Sequence, residues 1–335
     1  MTVDPVAAAT DPAELLRAHA DHPSAFLALN SRTRHYSGRG AEGLIAYRRA
    51  GRFVAQFGGP FAAPGQRAAL LDEFLGSLRA SGGRARLTAV QLRAQDVRLY
   101  EDRGFTVNRI GSSYSIDLTR FTLSGKPLAK VRQNVSRARR EGCTVTEVSG
   151  SEHSLRSGLD ALDAAWLRAK GRHVKELRFL IGERGGPGAP LRRTFVARRD
   201  GRTLGYITYS PAWGSRPGWL YDLTRREPDA PCGTVELINL TAVQRFQEEG
   251  AQWLHLGLTP FASLDTEPEP ASASPVLTRA VRLLGTHGGA VYPARSQEAF
   301  KRKWAPHSVD PEYAAFQGGV RPLAVWRLLR LTGAV

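Results

Sequence analysis

Residues 126–140 read KPLAKVRQNVSRARR, and how this stretch folds decides how the rest of the chain is divided. Pro127 suits the first turn of a helix, where its missing N–H has no intrahelical partner to lose. Wound at about 100° per residue, Leu128, Val131, Val135 and Ala138 fall in one arc, and Lys126, Lys130, Arg137 and Arg140 gather opposite. Lys126, Lys130, Arg132, Arg137, Arg139 and Arg140 carry the charge, and no acid interrupts them. An ordinary solvated face would interleave acids for i,i+4 pairing. The expectation is a helix with one packing face and one cationic stripe that meets the phosphates of a nucleic acid, with an anionic membrane surface as the alternative. Phosphate contacts position without reading sequence, so substrate choice must come from elsewhere.

On either side of this helix the chain makes two passes of similar order. Upstream, Asp11 caps a helix reaching Ala20. Strands at 43–48 and 52–57, a Gly-Gly-Pro turn at Gly58–Pro60, a helix over 64–81, strand 86–91, a short helix through Tyr100 and strand 112–117 follow. Downstream come helix 154–170, strands 193–198, 203–211 and 218–223, a Pro-rich turn at 227–231, helix 234–249, strand 253–256 and helix 275–284. Short strands alternating with longer helices predict an α/β (α+β) architecture of mixed sheets flanked by helices. The division reads as 1–120, a basic linker helix within 121–150, and 151–335. The loop DTEPEPASASP, from Asp265, is polar and Pro-rich and is expected to be mobile.

Composition bounds the function. The 335 residues carry 47 Lys and Arg against 31 Asp and Glu, a formal charge of +16, which calls for an anionic partner. Hydrophobic residues at 42% and charged residues at 23% exclude a disordered, collagenous or disulfide-scaffold chain. Cys143 and Cys232 form no Cys-x-x-Cys pair and no zinc spacing, so no metal site and a reducing compartment are expected. Met1–Pro12 lacks the features of a secretory signal, and no run approaches the roughly 18 apolar residues of a membrane span. The expected location is cytoplasmic, with peripheral contact at the inner membrane surface as an extension.

The densest chemistry lies in the second pass. Tyr221-Asp222-Leu-Thr-Arg225-Arg226 ends a strand, and the turn EPDAPCG leads into a helix that begins Thr234-Val-Glu236. Polar groups at a strand end facing a helix N-terminus form a usual site geometry in open sheets. Asp222 reads equally well as a turn cap. Leu256-Gly257-Leu258-Thr259 follows a strand, and Phe300-Lys301-Arg302-Lys303-Trp304 forms a basic and aromatic knot. On an extended segment Lys301 and Lys303 would share a face. His287 is more often structural than a base in such a setting. The tail RPLAVWRLLR over 321–330 is amphipathic and suits packing on the second pass, or an anionic bilayer.

Taken in order, GKPLAKVRQNVSRARREG, TFVARRDGRTLGYITY, YDLTRREPDAPCGTVELI, LHLGLTPFASL and FKRKWAPHSVDPEY resemble the C-terminal catalytic domain of phosphatidylglycerol lysyltransferases of the multiple peptide resistance type. The likeness runs from about Gly43 to the end. It implies a tandem GNAT-like fold with a basic helix between the halves, and transfer of an amino acid from aminoacyl-tRNA. By it, Asp222 and Arg225 match the family's Asp-x-x-Arg pair, Glu236 its acidic helix start, and Lys303 the lysine of its Phe-Lys-x-Lys motif. Gly257, Thr259 and Lys301 are expected to bind substrate. Two departures stand out: the chain lacks the large membrane portion of the lipid-acting members, and Gly59 stands where their Gly-Asp-Pro turn has its acid.

The implied chemistry needs no cofactor beyond aminoacyl-tRNA as co-substrate. The ester is already activated, so an enzyme has to align an acceptor and stabilise the oxyanion. Asp222 would hold the α-amino group or the acceptor, and Arg225 and Lys303 would offset negative charge; the general base is left open. The acceptor is read as a small hydroxyl- or amino-bearing metabolite of the natural-product kind, with phosphatidylglycerol as the alternative. An acyl-CoA-dependent GNAT enzyme would need the phosphate loop Gln/Arg-x-x-Gly-x-Gly/Ala, which has no match here. A non-catalytic RNA or membrane binder would leave Asp222 exposed.

Overall fold

Asp11 caps the first helix, α1 (Pro12–His19), its carboxylate accepting the Ala13 N–H at 3.0 Å. The computed structural model describes residues 11–81, 85–148, 153–170, 180–265, 268–288 and 292–331. Most of the Met1–Pro12 opening and residues 266–267 of the Pro-rich loop lie outside them. The first pass then builds β1 (Arg34–Tyr36), β2 (Gly43–Ala50), β3 (Phe53–Ala62), α2 (Arg67–Ala80), β4 (Arg86–Leu92), α3 (Ala94–Glu101) and β5 (Phe105–Asp117). Gly58–Pro60 is not a turn but a bulge inside β3. Leu44 pairs with Phe61 and Ala46 with Phe57, so those three residues oppose Ile45 alone and the strand resumes beyond them.

The expected basic helix is α4 (Ala129–Arg140), and its inner face is the one anticipated: Leu128, Val131, Val135 and Ala138 are all buried. They pack with Leu237, Ile238 and Phe246 of α6 (Thr234–Glu248). Full burial of each valine or leucine favours this docking by about 1.5–3 kcal/mol. After α4 come β6 (Thr144–Val148), α5 (His153–Lys170), β7 (Arg193–Arg199), β8 (Arg202–Ala212) and β9 (Gly218–Arg226). Beyond α6 follow β10 (Trp253–Pro260), α7 (Pro275–His287), α8 (Ala294–Arg302), β11 (Ser308–Gln317) and α9 (Pro322–Leu331).

All eleven described strands form one mixed sheet, in the order β1-β2-β3-β4-β11-β5-β10-β9-β8-β7-β6. The two passes are joined through its centre. β11, from the end of the chain, inserts antiparallel between β4 and β5, and β5 pairs on its other edge with β10. The architecture is the expected α/β (α+β) arrangement, a large mixed sheet flanked by helices.

Candidate active site

Two irregularities in neighbouring strands open the sheet in the second pass. β9 and β10 run parallel but pair only over Gly218–Leu220 with Trp253–His255. Just past that point β10 bulges against β5, where His255 pairs with Ser115 and Gly257 with Tyr114, leaving Leu256 unmatched. On the other edge of β9, Tyr209 pairs with Tyr221 and Thr208 with Leu223, so Asp222 is the extra residue of a second bulge. Bulges re-aim side chains and end pairing, and both effects act here.

Asp222 is therefore not at a strand end but within β9, with its side chain 1% exposed. It accepts from Arg192 Nε at 3.1 Å and from the Ser210 hydroxyl, while its Oδ1 has no hydrogen-bond partner among the described residues. Burial pushes the carboxyl above its ordinary value, and Arg192 and Ser210 oppose that. Arg192 is itself held by Asn30 Oδ1 at 2.7 Å and the Gly185 carbonyl at 3.1 Å. The segment at 180–185 lies across the carboxylate. A Cβ on Gly182 would fall 1.8 Å from Asp222 Oδ1, so only glycine allows that approach.

Arg225 does not touch Asp222. It stacks on Trp166 of α5, 4.1 Å from the ring centre, with its Nε 3.9 Å from Asp163. Asp163 in turn accepts from Tyr206 Oη at 2.5 Å and Arg184 Nη2 at 3.0 Å. The expected Asp-Arg constellation is thus two separate clusters on the α5 side of β9, each with its own counter-charge.

Lys303 and Glu236 meet on the opposite side, where Tyr221 stands 6.0 Å from Phe300. Glu236 sits in the first turn of α6, accepting from Lys303 Nζ and, at 2.8 Å, from Asn134 Nδ2 of α4. Burial pushes Glu236 up, but Lys303 and Asn134 outweigh it and hold the carboxyl below its usual range. Gly233 makes this junction possible. Its φ of +94° starts α6, and a Cβ there would lie 2.0 Å from the Asn134 carbonyl oxygen.

Lys301 and Lys303 do not share a face, because 294–302 is helical and residues two apart diverge by about 200° on a helix. Lys301 points instead to the bulge in β10, donating to the carbonyls of Gly257 at 2.8 Å and Leu258 at 2.9 Å. Burial lowers its ammonium pKa to about 7, with Glu312 pulling the other way. Thr259, fully buried on the same strand, has an Oγ1 without a hydrogen-bond partner among the described residues. His287 ends α7 exposed and bonded to Thr286.

The stripe of α4 is modified rather than erased. Lys126, Lys130, Arg139 and Arg140 are exposed. Arg137 pairs with Glu141 at 2.8 Å, an acid just past the basic run. Arg132 leaves the stripe: half-buried, it ties down the preceding loop by donating to the carbonyls of Leu123 at 2.8 Å and Gly125 at 2.7 Å.

Arg192, Ser210, Asn134 and Glu183, which binds the Ser31 N–H at 2.7 Å, gave no local signal in the sequence. Asp163 and Trp166 did, since spacing of three on a helix places an acid and an aromatic side by side.

With this geometry in hand, the chain compares with known proteins as follows. The model of the family described as "Phosphatidylglycerol lysyltransferase, C-terminal" matches residues 13–316. The chain belongs to this family. A phosphatidylglycerol lysyltransferase of Bacillus subtilis (strain 168) is 26% identical over 283 residues, covering 82% of this chain and 31% of the relative. The chain thus spans about a third of that curated relative's length. A C-terminal domain assigned to lysylphosphatidylglycerol synthetase, from Agrobacterium fabrum, superposes with a TM-score of 0.78 at 26% identity, covering 97% of this chain and 96% of that one. L-PGS from Bacillus licheniformis shares the fold, with a TM-score of 0.76 at 22% identity over 98% of this chain and 97% of its own. Among the described residues, no helix is long and apolar enough to cross a membrane.

Proposed function

We propose that this chain moves an aminoacyl group from aminoacyl-tRNA to a headgroup hydroxyl of phosphatidylglycerol. The observation that carries the reading is Asp222: an acid buried at a strand bulge, paired with Arg192, with one carboxylate oxygen unmatched among the described residues. An exposed Asp222 would have favoured a non-catalytic RNA or membrane binder. The lipid takes the place of the small metabolite expected from the sequence, since the family's description names phosphatidylglycerol and nothing supports a natural-product acceptor.

In this reading the second Asp222 oxygen accepts from the α-ammonium of the aminoacyl group, and that ammonium joins the Arg192 guanidinium in opposing the upward pull of burial on the carboxyl. The acceptor hydroxyl attacks the ester carbonyl. As the C–O bond to the lipid forms and the bond to the terminal ribose breaks, the proton leaves the hydroxyl for the departing ribose oxygen. The Lys303 ammonium, across β9 from Asp222, offsets charge on the tetrahedral oxygen of a substrate that spans the gap where β9 and β10 part, with Glu236 and Asn134 fixing its position. Lys301 binds the carbonyls of Gly257 and Leu258 and so shapes the wall beside Thr259. Arg225, stacked on Trp166, is a positioning residue for β9. The exposed cations of α4 hold tRNA phosphates. Aminoacyl-tRNA is a co-substrate, and the ester supplies the driving force without a further cofactor.

The test is incubation with a charged-tRNA pool carrying labelled amino acids and phosphatidylglycerol vesicles. Ribonuclease-sensitive label in the lipid fraction is the expected result. Label confined to water-soluble products would overturn the lipid acceptor, and label from acetyl-CoA but not tRNA would overturn the donor.

A further inference from the structure

Among the described residues, the large apolar side chains standing in solvent are Leu191, Val276, Leu283, Leu323 and Trp326. All but Leu191 lie on α7 and α9. Val276 is 76% exposed, Leu283 61%, Trp326 49% and Leu323 46%. The two helices anchor on one buried cluster over β4, β11 and β5, to which α7 contributes Leu277 and α9 contributes Val325 and Leu328. The tail's inner face does pack, but chiefly on β2 and β3 of the first pass, beside β4 and β11, rather than on the second pass as the sequence suggested; the outer face is left over.

The outer stripes of the two helices have the same make-up. On α7, Val276, Arg279 and Leu283 follow at helical spacing; on α9, Leu323, Trp326 and Arg330 do. Arg321 precedes α9, and neither helix contains an acid. Arg282 is paired at 3.3 Å, with the exposed Asp265, while Arg279, Arg321 and Arg330 are exposed.

We propose that the outer faces of α7 and α9 together dock this chain on a bilayer surface containing anionic phospholipid. Apolar side chains with a tryptophan enter the boundary between headgroups and acyl chains, and interleaved arginines meet lipid phosphates there. A second copy of the chain fits poorly, because a two-fold contact would set one acid-free basic patch against another. The proposed lipid acceptor gives this surface its purpose, and the inference rests on that reading to this extent; the geometry does not depend on it.

The full chain is sedimented with vesicles of phosphatidylglycerol and phosphatidylcholine in equal parts, and with phosphatidylcholine alone. Binding is expected on the mixed vesicles, weaker by about tenfold or more for Val276→Ser/Leu283→Ser/Leu323→Ser/Trp326→Ser. A second variant, Arg279→Gln/Arg321→Gln/Arg330→Gln, keeps the apolar surface and is expected to lose the preference for the anionic lipid. Both variants should transfer normally to phosphatidylglycerol dispersed in detergent micelles. Equal vesicle binding by parent and both variants overturns the proposal, as does a parent dimer that the serine variant dissociates while vesicle binding stays absent. A parent that binds vesicles through these residues but never aminoacylates lipid in micelles retires the acceptor and leaves the surface in place.

Discussion

Asn134, on the inner face of the basic helix α4, donates to the Glu236 carboxylate at 2.8 Å, and the same oxygen accepts from Lys303. One carboxylate thus links the helix that carries the cationic stripe, the first turn of α6 and the end of α8. A negative charge is favoured in that first turn by the helix dipole. The stripe and the candidate centre are two sides of the same helix, so a macromolecule held outside lies one helix thickness from the chemistry.

Lys303→Met should lower single-turnover transfer by about 10²–10³, the loss typical of one preorganised partner of a developing oxyanion. Glu236→Gln should lower it as well. Because both act through one ion pair, the double variant should fall short of the product of the two, with a coupling of roughly 0.5–3 kcal/mol. Rates and melting temperatures of the three variants decide the matter. Additive rate losses would show that the lysine and the glutamate act separately.

For the stripe, Lys126→Gln/Lys130→Gln/Arg139→Gln should weaken tRNA binding and reduce its salt dependence by up to about three contacts' worth, at ~0.7–0.9 each in the log–log slope. Arg137→Gln should do less, because that guanidinium already faces Glu141. Arg132→Gln should instead lower the melting temperature, since it releases the carbonyls of Leu123 and Gly125. An unchanged salt slope in the triple variant would remove α4 from the tRNA site.

The legible parts of the chain were those whose pattern is local. Helix α4 follows from a 3.6-residue period, and α1 from an Asp cap. β11 was illegible because SVDPEYAAFQ is polar and carries Pro311; only its insertion between β4 and β5 makes it a strand. The candidate site was legible as a set of charged residues but not as an arrangement. Asp222 and Arg225 sit three apart in the sequence, yet a bulge and two separate counter-ions part them. The partner of Asp222, Arg192, lies 30 positions away in the chain, beyond reach of any local motif.

Glu312 gives a pH test. It is buried among Ser113, which donates to it, and His22, whose Nε2 lies 3.8 Å away. Burial raises its pKa from 4.5 to about 8, against the pull of Lys301. A folded value above the unfolded one means its stabilising contribution is complete below about 4.5 and is lost as pH rises through about 8. Glu312→Gln does not titrate, so its melting temperature should gain on the parent steadily from pH 5 to pH 8.5. A constant difference across that range would show that Glu312 does not carry a raised pKa.

Asp222→Asn keeps the shape of the side chain but leaves the Arg192 guanidinium, 2% exposed, without its anion. Removing one member of a buried pair typically costs about 3–5 kcal/mol, so this variant should melt several degrees lower as well as lose transfer by about 10²–10³. A fall in activity alone would therefore not distinguish chemistry from folding. Combining Asp222→Asn with Arg192→Gln removes the stranded charge and should recover much of the melting temperature, since the Gln amide nitrogen falls where Arg192 Nε stood and can donate to the amide oxygen at position 222. Transfer should stay lost, because no anion is left to receive the α-ammonium. Charged tRNA should bind both variants through α4 with unchanged salt slope, which separates donor binding from the step itself. Recovery of transfer together with stability in the double variant would reduce Asp222 to a structural partner of Arg192 and move the search for the amino-binding acid to Glu183 or Asp163.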